Sequence, residues 1–202
     1  VTRPLLLIDI DGPLNPYAAK PTRRPAGYTT HRMTPDSWIA RHGGRVKPLR
    51  VWLNHDHGAQ LQALPYDLVW CTTWMAEANE WIAPHLGLPE LPHVPFPELW
   101  AKRNDGTYFK TWEVVRWAQG RPFAWIDDEI SAADREFVAD IHEGPALLHH
   151  IDPHIGLTPA DFETLANWAT ALDGEPAVCP TCGGDADCHQ LSCPAGMEGI
   201  TR

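Results

Sequence analysis

The chain has 202 residues, enough for one sizeable α/β domain with an insert and a small appendage, and its 44% hydrophobic content supports a real core. A formal net charge of -10 opposes loose whole-surface binding to nucleic acid. The first apolar run is broken by Asp9 before it reaches the length of a signal peptide, and no later run approaches a membrane span, so a soluble cytoplasmic protein with no membrane partner is expected.

In chain order, Leu5-Leu6-Leu7-Ile8 is a bulky run without alternation, the pattern of a strand buried on both faces at the centre of a parallel sheet. It ends in Asp9-Ile10-Asp11-Gly12. Ligands bind at the carboxyl ends of strands in open α/β sheets, and alternation puts Asp9 and Asp11 on one side, where two anions repel unless something positive lies between them. A solvated strand end is the plain alternative, since Asp and Gly are common turn residues.

Residues 13–48 are rich in Pro, Gly, Thr and Arg with little periodicity, and read as an irregular insert with one short helix near Pro35 to Arg41. Between Lys20 and Arg50, the eight bases Lys20, Arg23, Arg24, Arg32, Arg41, Arg45, Lys47 and Arg50 stand against the single acid Asp36, a local +7 that leaves -17 for the remainder. Such a run is commonly a solvated face. This one leaves the sheet directly after Asp11, where an insert can lie over the strand end as a flap. If it grips a phosphorylated substrate, Arg23 and Arg24 are the candidate binding residues, with Tyr17, Tyr28 and Trp38 as stacking faces.

Leu49 to Leu53 is a second strand candidate, and Gly58 to Leu64 a short helix closed by Pro65. Tyr66 to Cys71 is a strand that delivers Thr72 and Thr73. The spacing of Trp74, Ala78, Trp81, Ile82 and His85 predicts one helix ended by Gly87, followed by proline-rich loop with a short strand around Val94. Lys110 opens a helix carrying Val114, Trp117 and Ala118 and stopped by Gly120. Pro122 to Ile126 is a strand that ends in Asp127 and Asp128. Ser131 to Asp134 and Thr158 to Asp161 are capping-box patterns opening two further helices, with Ala146 to Ile151 as the last strand between them. Their apolar stripes are Phe137, Val138 and Ile141, then Phe162, Leu165, Ala166, Ala169 and Leu172.

Alternating strands and helices predict a three-layer, Rossmann-like α/β domain with a mainly parallel sheet over residues 1–172, carrying the basic insert 13–48. Of the ten tryptophans, Trp70, Trp74, Trp112 and Trp125 flank these motifs and are expected to be core. Residues 173–202 form a small Cys-rich tail. Cys179, Cys182, Cys188 and Cys193 offer four soft ligands at short spacing, a candidate structural zinc site, with free thiols and a disulfide as the alternatives. Cys71, on a buried strand, reads as an inert thiol.

Asp9-x-Asp11, Thr72, Lys110 and the Asp127-Asp128 pair, each at the end or start of an apolar element and in this order, resemble the four motifs of the haloacid dehalogenase-like superfamily of phosphohydrolases. The resemblance covers residues 4–172. It implies a magnesium-dependent phosphatase in which Asp9 attacks phosphorus, Asp11 moves protons, Thr72 (or Thr73) bonds a phosphoryl oxygen and Lys110 balances charge. Asp9, Asp11, Asp127 and Asp128 would supply the magnesium ligands, Asp11 through its carbonyl. Asp11 argues against a dehalogenase, and Pro13 and Asn15-Pro16 depart from the usual residues after the first motif. Asp11-Gly12-Pro13-Leu14-Asn15-Pro16, the Leu53 to Gly58 turn, Thr73 to Asn79 and Trp125 to Glu129 are similar to small domains of this superfamily associated with RNA-repair proteins, which implies a nucleic-acid end as substrate, whereas the superfamily resemblance alone implies a phosphorylated small molecule or a nucleotide. The rival expectation is an inactive binding module that recruits a partner through the tail. The presence of both Asp9 and Asp11 favours the enzyme.

Overall fold

The computed structural model describes residues 2–173, and the elements of these residues are α/β. β1 (Leu5–Ile8) is buried at every position and lies between β4 (Asp67–Trp70) and β5 (Phe123–Asp127), with β6 (Ala146–His150) outside β5. Every pairing in this four-stranded sheet is parallel, and helices flank it, an arrangement compatible with a Rossmann-like fold. A strand whose two faces are both covered has no need to alternate, which is why β1 and β5 read as continuous apolar runs. Leu7, Val69, Phe123, Trp125 and Leu148 bring their side chains into one buried cluster with Val114.

The register sets the site. Ile8 aligns with Trp70 on one side and Ile126 on the other, so the first residues beyond β1 and β4 and the last residue of β5 emerge at one level. β1 is also where the chain order reverses: the path goes from β1 out to β4 and returns across it to β5. Crevices at such a point, outside the carboxyl ends, are where open α/β sheets hold ligands.

Residues 13–48 are more ordered than their composition predicts. β2 (Tyr28–Met33) pairs antiparallel with β3 (Leu49–Asn54), from Tyr28 opposite Asn54 to Met33 opposite Leu49, and α1 (Asp36–His42) lies between them. The second strand candidate is therefore a strand, but of a separate two-stranded sheet. β2 escapes a periodicity argument because only its ends, Tyr28 and Met33, are buried, while Thr29, Thr30 and Arg32 are exposed. Its order comes from its partner: the Trp52 indole donates to Thr30 Oγ1 at 2.9 Å, and the Arg50 guanidinium stacks 4.0 Å over the Trp52 ring.

The helix expected from Trp74 to His85 is broken into α3 (Glu77–Trp81) and α4 (Ala83–Leu86). Pro84 is the cause, since it has no N–H to give the Glu80 carbonyl and its ring clashes there, so it is tolerated only in the first turn of a new helix. Gly87 ends α4 in the left-handed region, as expected. α2 (Asp56–Ala63) and α5 (Thr111–Ala118) stand close to their predicted bounds. α6 (Ala132–Ile141) has the Ser131–Asp134 capping box, but Ile141 leaves its apolar stripe and is 54% exposed. At the start of α7 (Pro159–Asp173) the Thr158 backbone N–H and hydroxyl both donate to Asp161 Oδ2, while the Asp161 N–H donates to the Thr158 carbonyl rather than to its side chain. The strand expected around Val94 is a single bridge between Trp70 and His93. Two compact units divide the chain after Ala166, and every element before α7 lies in the first. Among the described residues, no helix is long and apolar enough to cross a membrane.

Candidate active site

Asp9 follows β1 directly and is 6% exposed, its backbone N–H donating to the Ile126 carbonyl at 3.1 Å. Lys110, at the N-cap of α5, is buried between two strand ends, with Nζ 3.0 Å from Asp9 Oδ2 and 2.7 Å from Asp127 Oδ2. Burial opposes the lysine's charge, but Asp127 and Asp9 outweigh it and hold Lys110 well above its ordinary range. Burial pushes the Asp9 carboxyl up, Lys110 pulls it down, and Asp127 and Asp11 add to the rise. A carboxylate crowded by others out of water lacks positive charge, and Lys110 alone supplies one unit.

Asp127 and Asp128 are not equivalent. Asp127 is fully buried and also accepts from the Trp125 indole at 3.2 Å and the Glu129 backbone N–H at 2.9 Å, so its oxygens are committed to protein donors. Asp128 faces a cavity and accepts one bond at 3.1 Å from the Tyr17 hydroxyl. Burial, with Asp127 adding, pushes Asp128 up to about 6. Gly12 makes room for it: with φ +100, a side chain there would be strained, and its Cβ would stand 2.5 Å from Asp128 Cγ. Oxygens of Asp9, Asp127 and Asp128 come within 4.8 Å of one another.

The Asp11 carboxylate is not in that group. Asn15 Nδ2 donates to its Oδ1 at 2.7 Å and the Trp74 indole to its Oδ2 at 2.9 Å, fixing both oxygens beside Asp9. Asn15 Oδ1 in turn accepts from the Trp52 backbone N–H at 2.9 Å, which ties Asp11 to β3. Sequence reasoning gave Asn15 and Trp74 no role at the site, and it offered Tyr17 as a stacking face rather than as the hydroxyl that donates to Asp128. The one available signal was chemical, because a buried indole N–H or carboxamide must find a partner.

Two cavities meet here. One, of about 320 Å³, is lined by Asp9, Asp11, Tyr17, Thr73, Tyr108 and Asp128, together with Trp100 and Glu129. The other, of about 200 Å³, lies between α1 and β3 on one side and Trp74 on the other, and shares Asp11, Thr73 and Trp100 with the first. Thr72 is buried and lines neither, whereas Thr73 lines both. Arg23 and Arg24 are exposed and line neither, Arg24 instead donating to Thr30 Oγ1 at 2.9 Å. The basic residues at the second cavity are Arg41 and Arg50. Tyr28 is buried edge-on against His57 and offers no open face, while Trp38 lines the second cavity.

Of the four flanking tryptophans, Trp70, Trp74 and Trp125 are buried and Trp112 is 39% exposed. Burial raises the Cys71 thiol well above its ordinary range, in keeping with an inert core residue. Cys179, Cys182, Cys188 and Cys193 lie outside the described residues. Comparison with protein-family models, with curated proteins and with solved structures finds no match for this chain.

Proposed function

We propose that this chain is a magnesium-dependent phosphatase of the haloacid dehalogenase-like kind, which works through an aspartyl-phosphate on Asp9 and acts on a nucleotide or a nucleic-acid end. The observation that carries this reading is the buried Lys110 held between Asp9 and Asp127, at the carboxyl edge of a parallel sheet, with Asp9, Asp11 and Asp128 opening into one cavity.

The donor set fits a hard divalent cation. Asp9, Asp127 and Asp128 bring carboxylate oxygens close together, all the side-chain donors are oxygens, and Asp9 and Asp128 line the cavity. Asp9 and Asp128 would hold magnesium, with the Asp11 carbonyl as the further protein ligand. When bound, it supplies positive charge against the phosphoryl oxygens. Asp127 is better suited to fixing Lys110 than to ligation, because protein donors occupy it.

The Asp9 carboxylate forms a bond to phosphorus as the ester P–O bond breaks, and the leaving oxygen takes a proton from Asp11. Water then adds at phosphorus, its proton goes to Asp11, and the bond to Asp9 breaks to release inorganic phosphate. Asn15 and the Trp74 indole keep Asp11 where it can serve both steps. Thr73, at the cavity, takes the phosphoryl hydrogen bond that the sequence motif assigns to Thr72. Residues 13–54 act as the cap, held to the site through Asn15 and β3.

The test is hydrolysis of p-nitrophenyl phosphate with and without magnesium. Activity should require the metal and vanish in Asp9→Asn, whereas Asp11→Asn should retain the metal requirement and turn over about a hundredfold or more slowly. Equal rates in wild type and Asp9→Asn would refute the reading.

A further inference from the structure

The cavity beside Asp11 is built unlike the one over Asp9. Its walls combine Trp38, Trp74 and Trp100 with two cations, Arg41 and Arg50, and neither arginine is ion-paired among the described residues. Arg41 closes the last turn of α1. Arg50 is partly held in place, since it stacks on Trp52 and donates to the Tyr17 carbonyl at 3.1 Å. Trp38 is braced by a hydrogen bond from its indole to the Lys47 carbonyl at 3.1 Å and by the His42 ring at 3.7 Å. Such bracing limits the ordering cost of binding a flat ligand against it. α1 is itself fastened across the cleft, because Glu77 of α3 accepts from both the Ser37 backbone N–H and its hydroxyl.

Position decides what this cavity receives. The two cavities share Asp11, Thr73 and Trp100, and Asp11 is the group that protonates the leaving oxygen. A phosphoryl group over Asp9 therefore directs its ester oxygen to the junction, and the remainder of the substrate into the cleft of arginines and tryptophans. Two arginines without an ion-pair partner among the described residues favour an anionic guest, and planar aromatic walls favour a flat one.

We propose that this cleft is the leaving-group subsite and that it takes a nucleoside carrying a second phosphate, with the base against Trp38 or Trp100 and the second phosphate on Arg41 and Arg50. The proposal rests on the phosphatase reading and specifies its substrate. A nucleoside bisphosphate and the phosphorylated terminus of an oligonucleotide share this chemistry, the neighbouring phosphodiester serving as the second anion in the latter.

Binding and turnover test it separately. Calorimetry on Asp9→Asn protein with magnesium should give adenosine 3′,5′-bisphosphate an affinity at least about tenfold above adenosine 5′-monophosphate, the scale of one charge-assisted hydrogen bond. Arg41→Ala/Arg50→Ala in that background should remove the difference, and Trp38→Leu should weaken both ligands. Should Asp9→Asn fold poorly, the same ratios are read from kcat/KM for phosphate release by otherwise unaltered protein. A phosphorylated oligonucleotide that equals or exceeds the bisphosphate marks a nucleic-acid end, and the reverse order a free nucleotide. Equal affinities for the two adenosine phosphates, or an advantage that survives the double substitution, would overturn the subsite. Loss of all turnover with the binding pattern intact would instead overturn the phosphatase reading and leave the subsite standing.

Discussion

Lys110 Nζ lies 2.7 Å from Asp127 Oδ2 with both side chains shut away from water. An ion pair in that setting is weak evidence for stability, because desolvation offsets the attraction, yet removing one partner strands a buried charge. Lys110→Met should therefore destabilise the protein by about 3–5 kcal/mol in urea unfolding. Lys110→Met/Asp127→Asn should regain part of this loss, because the amide carries no charge and its single oxygen still accepts from one of the two donors, the Trp125 indole and the Glu129 backbone N–H, that Asp127 holds on separate oxygens. A double variant less stable than the single one would show that the stranded charge is not what makes Lys110→Met costly.

Gly12→Ala tests the backbone beneath Asp128. The left-handed φ costs of the order of 1–3 kcal/mol for a residue with a side chain, and the new methyl would displace Asp128. The expected result is a half-maximal magnesium concentration raised about tenfold or more, the usual scale when a ligand's support is disturbed. A magnesium titration of p-nitrophenyl phosphate hydrolysis reads it, and an unchanged midpoint would remove Asp128 from the metal site.

His57 makes a prediction for acid stability. It is 4% exposed, sits between the Tyr28 and Phe162 rings, and burial lowers it from 6.5 to about 4. Between those values the unfolded chain holds a proton that the folded one does not, so stability is complete above about 6.5 and falls as pH drops towards 4. Its share of the loss between pH 7.5 and pH 5 is about 2 kcal/mol. Unfolding free energies from urea titrations at the two pH values should differ by that much less in His57→Gln than in wild type. Parallel losses in the two proteins would mean that His57 is charged in the fold.

The positions of the strand-end carboxylates were legible because burial writes itself into local pattern. Leu5 to Ile8 and Phe123 to Ile126 are apolar on both faces, and the chain turns polar at Asp9 and at Asp127. The Ser131 and Thr158 caps were legible for a similar reason, since their partners stand three residues away. Pro84 was legible in principle, as a helix breaker in plain view.

Tertiary structure alone decided the rest. Trp74 reaches Asp11 across 63 positions of sequence and Asn15 reaches the Trp52 backbone across 37, separations at which periodicity carries no information. Which carboxylate of the Asp127-Asp128 pair stays open depends on where Trp125, Lys110 and Tyr17 converge, and which arginines line the site depends on where α1 and β3 lie beside it. Composition showed a basic segment. Only the folded arrangement of α1 and β3 put Arg41 and Arg50 at the cavity that Asp11 lines and left Arg23 and Arg24 outside it, because charge counts residues whereas a site requires their positions.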